Sequence, residues 1–202
     1  MALLVGRGKY LLQEEVVRGI SGVTYKAINQ INNQLVTIKT FKSESLKQSE
    51  LFDIRKKFLH EAQRLIECSH PNIIPYHEFF IEDGVPYIVM DYIPGKTLDK
   101  IVLPDNPLPE AIALEYIRQV GKALKVVHDN DLLHRDVKPH NLILHQDRQQ
   151  IVLIDFGISR EFSRGLDQTH TSLVSQGYAP IEQYLPKAKR TPATDIYGLA
   201  AT

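Results

Sequence analysis

The stretch from His134 to Gly157 constrains this chain more than any other: H-R-D-V-K-P-H-N, then L-I-L, a polar turn, I-V-L-I, and D-F-G. Leu142–Leu144 and Ile151–Ile154 are short apolar runs separated by the polar His145–Gln150. Their length and β-branched content predict a β-hairpin. Antiparallel pairing brings the start of the first strand beside the end of the second. Asn141 and Asp155 are therefore expected at one end, with Asp136 and Lys138 on the loop just before. Two carboxylates, an amide oxygen and an ammonium then converge. Hard oxygen ligands of this kind suit Mg²⁺ carrying phosphates, an ion rarely held by an all-protein cage. The set also fits phosphoryl transfer, where positioning and charge neutralisation supply most of the catalysis. Taken singly, Asp136 and Asp155 read equally well as turn caps.

H-R-D-x-K-x-x-N followed by D-F-G resembles the protein kinase family, in particular its serine/threonine branch, over about residues 10–202. The resemblance implies an α+β, two-lobed fold: a small β-rich N-lobe over 10–90, a hinge at 91–95 and a helical C-lobe over 96–202 that lacks its last helices. It implies transfer of the γ-phosphoryl of ATP, with Mg²⁺, to a Ser or Thr hydroxyl of a protein substrate. Asp136 would orient that hydroxyl and accept its proton. Lys138 would stabilise charge on the transferred group, and Asn141 and Asp155 would hold Mg²⁺.

Tyr10–Val17 and Thr24–Ile28 read as strands joined by R-G-I-S-G-V, and Gln34–Phe41 as a third. Gly19 and Gly22 are positioned to let the turn backbone approach a ligand closely, although G-x-x-G fits a plain hairpin turn as well. By resemblance this loop covers the nucleotide. The family usually has one more glycine, where this chain has Val17, which stiffens the loop and sets a branched side chain near the nucleotide. In the third strand Leu35, Thr37, Lys39 and Phe41 share one face. Between Glu50 and Cys68, Leu51, Ile54, Phe58, Ala62 and Leu65 trace an apolar stripe at helical spacing, and Glu61 falls inside it. A carboxylate there is costly unless paired, and Lys39 is the obvious partner. In kinases the matching lysine and glutamate pair, and the lysine holds the α- and β-phosphates. Thr24 and Thr37 stand where the family more often has Val and Ala above adenine. At Thr24 a hydroxyl replaces a methyl, with some loss of apolar contact.

Tyr76–Ile81 and Pro86–Met90 read as strands around the turn Glu82–Gly84, and D-Y-I-P-G follows. Pro94 and Gly95 are expected to break regular structure and link two lobes. By resemblance Met90 lies at the back of the nucleotide pocket, and Asp91 and Ile93 offer backbone groups to adenine. Ile143 would form the apolar floor, although a plain core residue fits it equally well. The pocket would lie at a domain interface, a favoured place for ligands. Pro109–Asp129 is the strongest predicted helix, with proline in its first turn and Ile112, Tyr116, Ile117, Val120, Leu124 and Val127 on one face.

Ile158–Ile181 is polar and rich in hydroxyls, and it resembles a kinase activation segment. Phosphate on Thr169, Thr171 or Ser172 would pair with Arg135, which directly precedes Asp136. The family usually ends this segment in tyrosine, any residue, A-P-E. Here Y-A-P-I-E sets Ala179 and Pro180 one place early, while Glu182 keeps its spacing from Tyr178. Ser175 matches the hydroxyl that helps select Ser/Thr substrates. Thr194–Thr202 begins like the kinase central helix with Asp195 as its marker, although an N-cap role explains Asp195 equally well. Ile196 and Leu199 are expected to lack part of their cover.

The 202 residues include 24 basic and 24 acidic ones, so no electrostatic case exists for nucleic acid or an anionic membrane as the main partner. The one cysteine, Cys68, cannot form an internal disulfide, and a reducing cytosol is the simplest setting. No apolar run reaches membrane-spanning length, and Met1–Gly6 is too short for a signal sequence. Two other readings stay open: a kinase-like module that binds nucleotide or a partner but turns over poorly, and a fragment with little or no activity.

Overall fold

Val36 and Ile38 are buried while Leu35 is exposed and Thr37 and Lys39 are half-buried, and this period of two organises the first of two units. The structure, a computed structural model, describes residues 3–19, 22–41, 63–102, 107–156, 175–185 and 187–202. One unit draws on Met1–Glu67 and Pro75–Tyr92, the other on Cys68–Ile74, Ile93–Ile158 and Gln168–Thr202. The first carries strands β1 (Leu3–Val5), β2 (Tyr10–Arg18), β3 (Gly22–Asn29), β4 (Gln34–Phe41), β5 (Tyr76–Glu82) and β6 (Val85–Asp91). They form one antiparallel sheet in the order β1-β2-β3-β4-β6-β5. Val5, Tyr10, Leu12, Ala27, Val36, Ile38 and Val89 make its core, with Tyr25, Phe80 and Tyr87 packed against it. Strand β6 lies between two neighbours and buries Ile88, Val89 and Met90 in succession, so both of its faces are covered.

Strand β1 was not foreseen from the sequence. Its turn into β2 runs through left-handed Gly6, Arg7 and Gly8. A Cβ at Gly6 would come within 2.9 Å of the Tyr10 ring, so only glycine fits there. The backbone N–H groups of Gly6 and Arg7 donate to the two Glu82 carboxylate oxygens at 2.8 and 2.9 Å, which ties this turn to the end of β5. Residues 63–67 are helical, with Leu65 buried. Leu51, Ile54, Phe58, Glu61 and Ala62, which complete the expected stripe, lie outside the described residues.

The second unit is built on helix α1 (Glu110–Asp129) and a three-stranded sheet of β7 (Gly95–Thr97), β8 (Leu142–His145) and β9 (Ile151–Leu153). The expected hairpin is present, with Leu142 opposite Leu153, although β9 stops one residue short and Ile154 lies in the turn beyond it. Helix α1 buries Tyr116, Val120, Ala123, Leu124 and Val127. Two expectations for it need correction. Pro109 is the N-cap rather than the first helical residue, and Ile112 is 38% exposed because the first turn rises off the core.

Gly95 also departs from expectation. It opens β7 and pairs with His145 on β8 instead of breaking the chain. A Cβ there would lie 2.1 Å from the Leu144 carbonyl oxygen, so the glycine serves close strand approach. Beyond β9 come a single turn of helix, α2 (Ile181–Tyr184), and helix α3 (Pro192–Ala200). Thr191 caps α3 through a capping box with Thr194, and Asp195 lies inside the helix, so the N-cap reading of Asp195 is overturned. Leu199 is buried, contrary to expectation, whereas Ile196 is half exposed.

Candidate active site

The loop before β8 turns sharply at Pro139–Asn141, a 3₁₀ turn, and this brings Asn141 back onto Asp136. Asn141 Nδ2 donates to the Asp136 backbone carbonyl at 2.7 Å and to its Oδ2 at 2.9 Å. Lys138 Nζ stands 3.0 Å from Asp136 Oδ2. Lys138 also donates to Ser175 Oγ at 2.7 Å, and that hydroxyl donates to Asp136 Oδ1 at 2.6 Å. Asp136, Lys138, Asn141 and Ser175 thus form one hydrogen-bonded cluster in which each oxygen of Asp136 has a directed partner.

Ile154 N–H donates to the Asn141 carbonyl at 2.9 Å, so Asp155, the next residue, sits at the same end of the hairpin as Asn141. Asp155 adopts a left-handed backbone, φ 62°, uncommon for a residue with a side chain. Both hydrogen bonds of the Asn141 side chain leave through Nδ2, which turns its amide oxygen away from Asp136. An amide oxygen and a carboxylate at one hairpin end fit Mg²⁺, whose remaining ligands are water and phosphate oxygens. Among the described residues no three His, Cys, Asp or Glu side chains gather as a metal cage.

A buried frame supports this cluster. Asp195 accepts from His134 N–H at 2.9 Å, Arg135 N–H at 2.6 Å and His128 Nε2 at 2.8 Å. Burial pushes the Asp195 carboxyl up, but the hydrogen bond from His128, the neighbouring His134 and the two backbone donors outweigh it and hold the group below the usual carboxylate value. The His134 ring is wholly buried, its Nε2 on the Ile154 carbonyl at 2.9 Å and its Nδ1 facing Asp136 N–H at 3.2 Å. Burial pushes its pKa down, and the two contacts suit the neutral tautomer with hydrogen on Nε2. Helix α3 approaches closely enough that a Cβ at Gly198 would lie 2.8 Å from the Val137 carbonyl oxygen.

In the first unit the sheet register brings several candidate residues together. Val17 pairs with Thr24, Thr24 with Lys39, and Lys39 with Ile88, a single cross-strand row. Thr37 pairs with Met90 two positions along the same face. Val17 is 56% exposed, at the end of a strand whose register shifts between Glu15 and Val17. Gly19 N–H closes the turn on the Gly22 carbonyl at 2.9 Å. A Cβ at Gly19 would meet nothing closer than 3.8 Å, so the protein's own packing does not require glycine there.

Asp91 N–H bonds the Pro75 carbonyl at 3.0 Å, and its carboxylate meets His77 at 2.6 Å. Ile93 belongs to the second unit, as does Ile143, which is half-buried on β8 opposite Val152 and Thr97. Glu61, Thr169, Thr171 and Ser172 lie outside the described residues. Sequence reasoning missed Gln183, which is buried on α2 and donates to the Arg135 carbonyl.

Residues 10–202 match the protein kinase domain family, and the chain belongs to it. Serine/threonine-protein kinase PrkC of Bacillus subtilis is 31% identical over 98% of this chain and 30% of its own length. A probable serine/threonine-protein kinase of Clostridium acetobutylicum is 33% identical over 94% of this chain and 28% of its own. Serine/threonine-protein kinase PknA of Mycobacterium tuberculosis is 29% identical over 95% of this chain and 45% of its own. The chain thus spans less than half the length of these curated relatives. The solved apo form of PpkA-294 matches with a TM-score of 0.77 at 27% identity, covering 95% of this chain and 72% of that one. Among the described residues no helix is long and apolar enough to cross a membrane.

Proposed function

We propose that this chain catalyses transfer of the γ-phosphoryl of ATP, with Mg²⁺, to Ser or Thr hydroxyls of a protein substrate. The observation that carries the reading is the cluster of Asp136, Lys138, Asn141 and Ser175 at one end of the β8–β9 hairpin. Asp136 orients the acceptor hydroxyl and takes its proton. Lys138 stabilises the charge of the moving phosphoryl group. Asn141 Oδ1 and the Asp155 carboxylate hold Mg²⁺, which when bound neutralises phosphate charge.

Lys39 holds the α- and β-phosphates, the role of the matching strand lysine in the family. The row of Val17, Thr24 and Lys39, with Thr37 and Met90 beside it, forms the sheet face toward the nucleotide, and Gly19 and Gly22 let the β2–β3 turn close over it. In the same unit Asp91 offers backbone groups to adenine, and the adenine roles of Ile93 and Ile143 rest on the family resemblance alone. A lone cysteine stays reduced in the cytoplasm, where ATP is available, and the reading puts this domain there.

The direct test is incubation with γ-labelled ATP and a mixed protein substrate. Label should appear on Ser and Thr and disappear when EDTA removes the divalent ion. Nucleotide binding without any transfer would favour the binding-module reading instead.

A further inference from the structure

We infer that Gln183 is a positioning residue for Asp136, holding the peptide unit that joins Arg135 to Asp136; this rests on the kinase reading above. Gln183 is 7% exposed, although it lies on a single turn of helix whose flanking Ile181 and Leu185 are 72% and 50% exposed. A buried amide is costly unless bonded, and this one is: its Nε2 donates to the Arg135 carbonyl oxygen at 2.8 Å. That carbonyl belongs to the same peptide unit as Asp136 N–H, which faces His134 Nδ1 at 3.2 Å. The unit is therefore held at both ends, by Gln183 at its oxygen and by His134 at its nitrogen.

The orientation needs holding. Arg135 has φ +64°, a left-handed conformation that costs free energy for any residue with a side chain. On its other side the Arg135 N–H is fixed by Asp195 Oδ1 at 2.6 Å. The plane of the Arg135–Asp136 peptide sets where the Asp136 side chain leaves the backbone. Gln183 therefore links α2, just beyond Ser175–Pro180, to the direction of the base. An apolar residue of similar volume would remove this hydrogen bond and leave the peptide unit held from its nitrogen side, by His134, without the tie to α2.

The test compares the full chain with Gln183→Ala and Gln183→Glu in a γ-phosphoryl transfer assay, well below each variant's melting temperature. Gln183→Glu keeps the shape but sets a carboxylate against the Arg135 carbonyl, and it regains a donor only when protonated. A small misplacement of a catalytic group costs on the order of 10- to 100-fold in rate. Both variants should therefore lose at least about tenfold in kcat while KM for ATP stays within about twofold. The Gln183→Glu activity relative to wild type should climb as pH falls toward about 5.5, since burial beside a carbonyl raises a carboxyl pKa. The Gln183→Ala ratio should stay flat. The charged groups Asp136, Lys138, Asp195 and Glu182 are common to all three proteins, and the Gln183→Ala ratio serves as the control for them.

Wild-type kcat in both folded variants would overturn the inference. So would loss of the folded state in both, which would make Gln183 a folding residue. Transfer by the unmutated chain with unchanged variants counts against Gln183 alone, whereas no transfer by the unmutated chain takes the kinase reading down with it.

Discussion

Ser175 decides how Asp136 is presented before any substrate arrives. Its hydroxyl donates to Asp136 Oδ1 and accepts from Lys138, so one small side chain sets both the base and the ammonium beside it. Ser175→Ala removes the bridge, and a hydrogen bond to a charged group contributes about 1.5–3 kcal/mol. Its loss should lower kcat by at least about tenfold, while Ser175→Thr, which keeps the hydroxyl, should retain most of the rate. Steady-state kinetics checks both, and an unaffected Ser175→Ala would detach the hydroxyl from the chemistry. Ser175 was legible by its offset from Tyr178. Gln183 was not, because a polar residue on a single helical turn has no periodicity to mark it as inward. Asp195 was ambiguous for a related reason: Thr191, Thr194 and Asp195 are all residues that cap helices, and only the backbone shows which one does.

Among the elements, β7 is held by the approach of its first residue to β8. Gly95→Ala would press a methyl against the Leu144 carbonyl, 2.1 Å from the ideal Cβ position, and against Ile143 Cγ2 at 2.9 Å. Overpacking of this kind costs about 1–3 kcal/mol, so thermal melting should show a Tm lower by several degrees. An unchanged Tm would mean the strand pair yields more easily than its register implies. The β8–β9 hairpin was legible because two short β-branched runs bracket a polar turn. β7 was not, since three residues opening on glycine carry no pattern and read as a break. The exposed Ile112 was misassigned for the opposite reason: its spacing fits the apolar stripe of α1, but periodicity does not say where a helix lifts off its core.

For the molecule as a whole, stability should depend on pH with a definite sign. Burial lowers the pKa of His134 and His70 below the ordinary imidazole value of 6.5, and Asp195 lies below the ordinary 3.8. A group with a lowered folded-state pKa takes up its proton more readily when unfolded, so acid favours the unfolded chain. Stability from the two histidines is complete above about pH 6.5 and is lost as pH falls through their folded values; that from Asp195 is lost only below about pH 4. Tm should therefore hold from neutral pH down to about 6.5 and fall below it, and a rise on acidification from 7 to 5 would contradict the buried neutral state of His134. The sequence motifs put Asp136, Lys138 and Asn141 at one place in the chain, and the structure joins them in one hydrogen-bonded cluster. The motifs marked His134 and Asp195 but not the frame that joins them, because Asp195 accepts from two backbone N–H groups and from His128, 67 residues away, and no sequence spacing displays such contacts. The central claim is that Asp136 is the base of a phosphoryl transfer. The most direct measurement is label transfer from γ-labelled ATP to Ser/Thr substrate by wild type and Asp136→Asn, alongside nucleotide affinity. Transfer should vanish in Asp136→Asn while affinity for ATP with Mg²⁺ stays within about threefold; transfer at the wild-type rate would contradict the account.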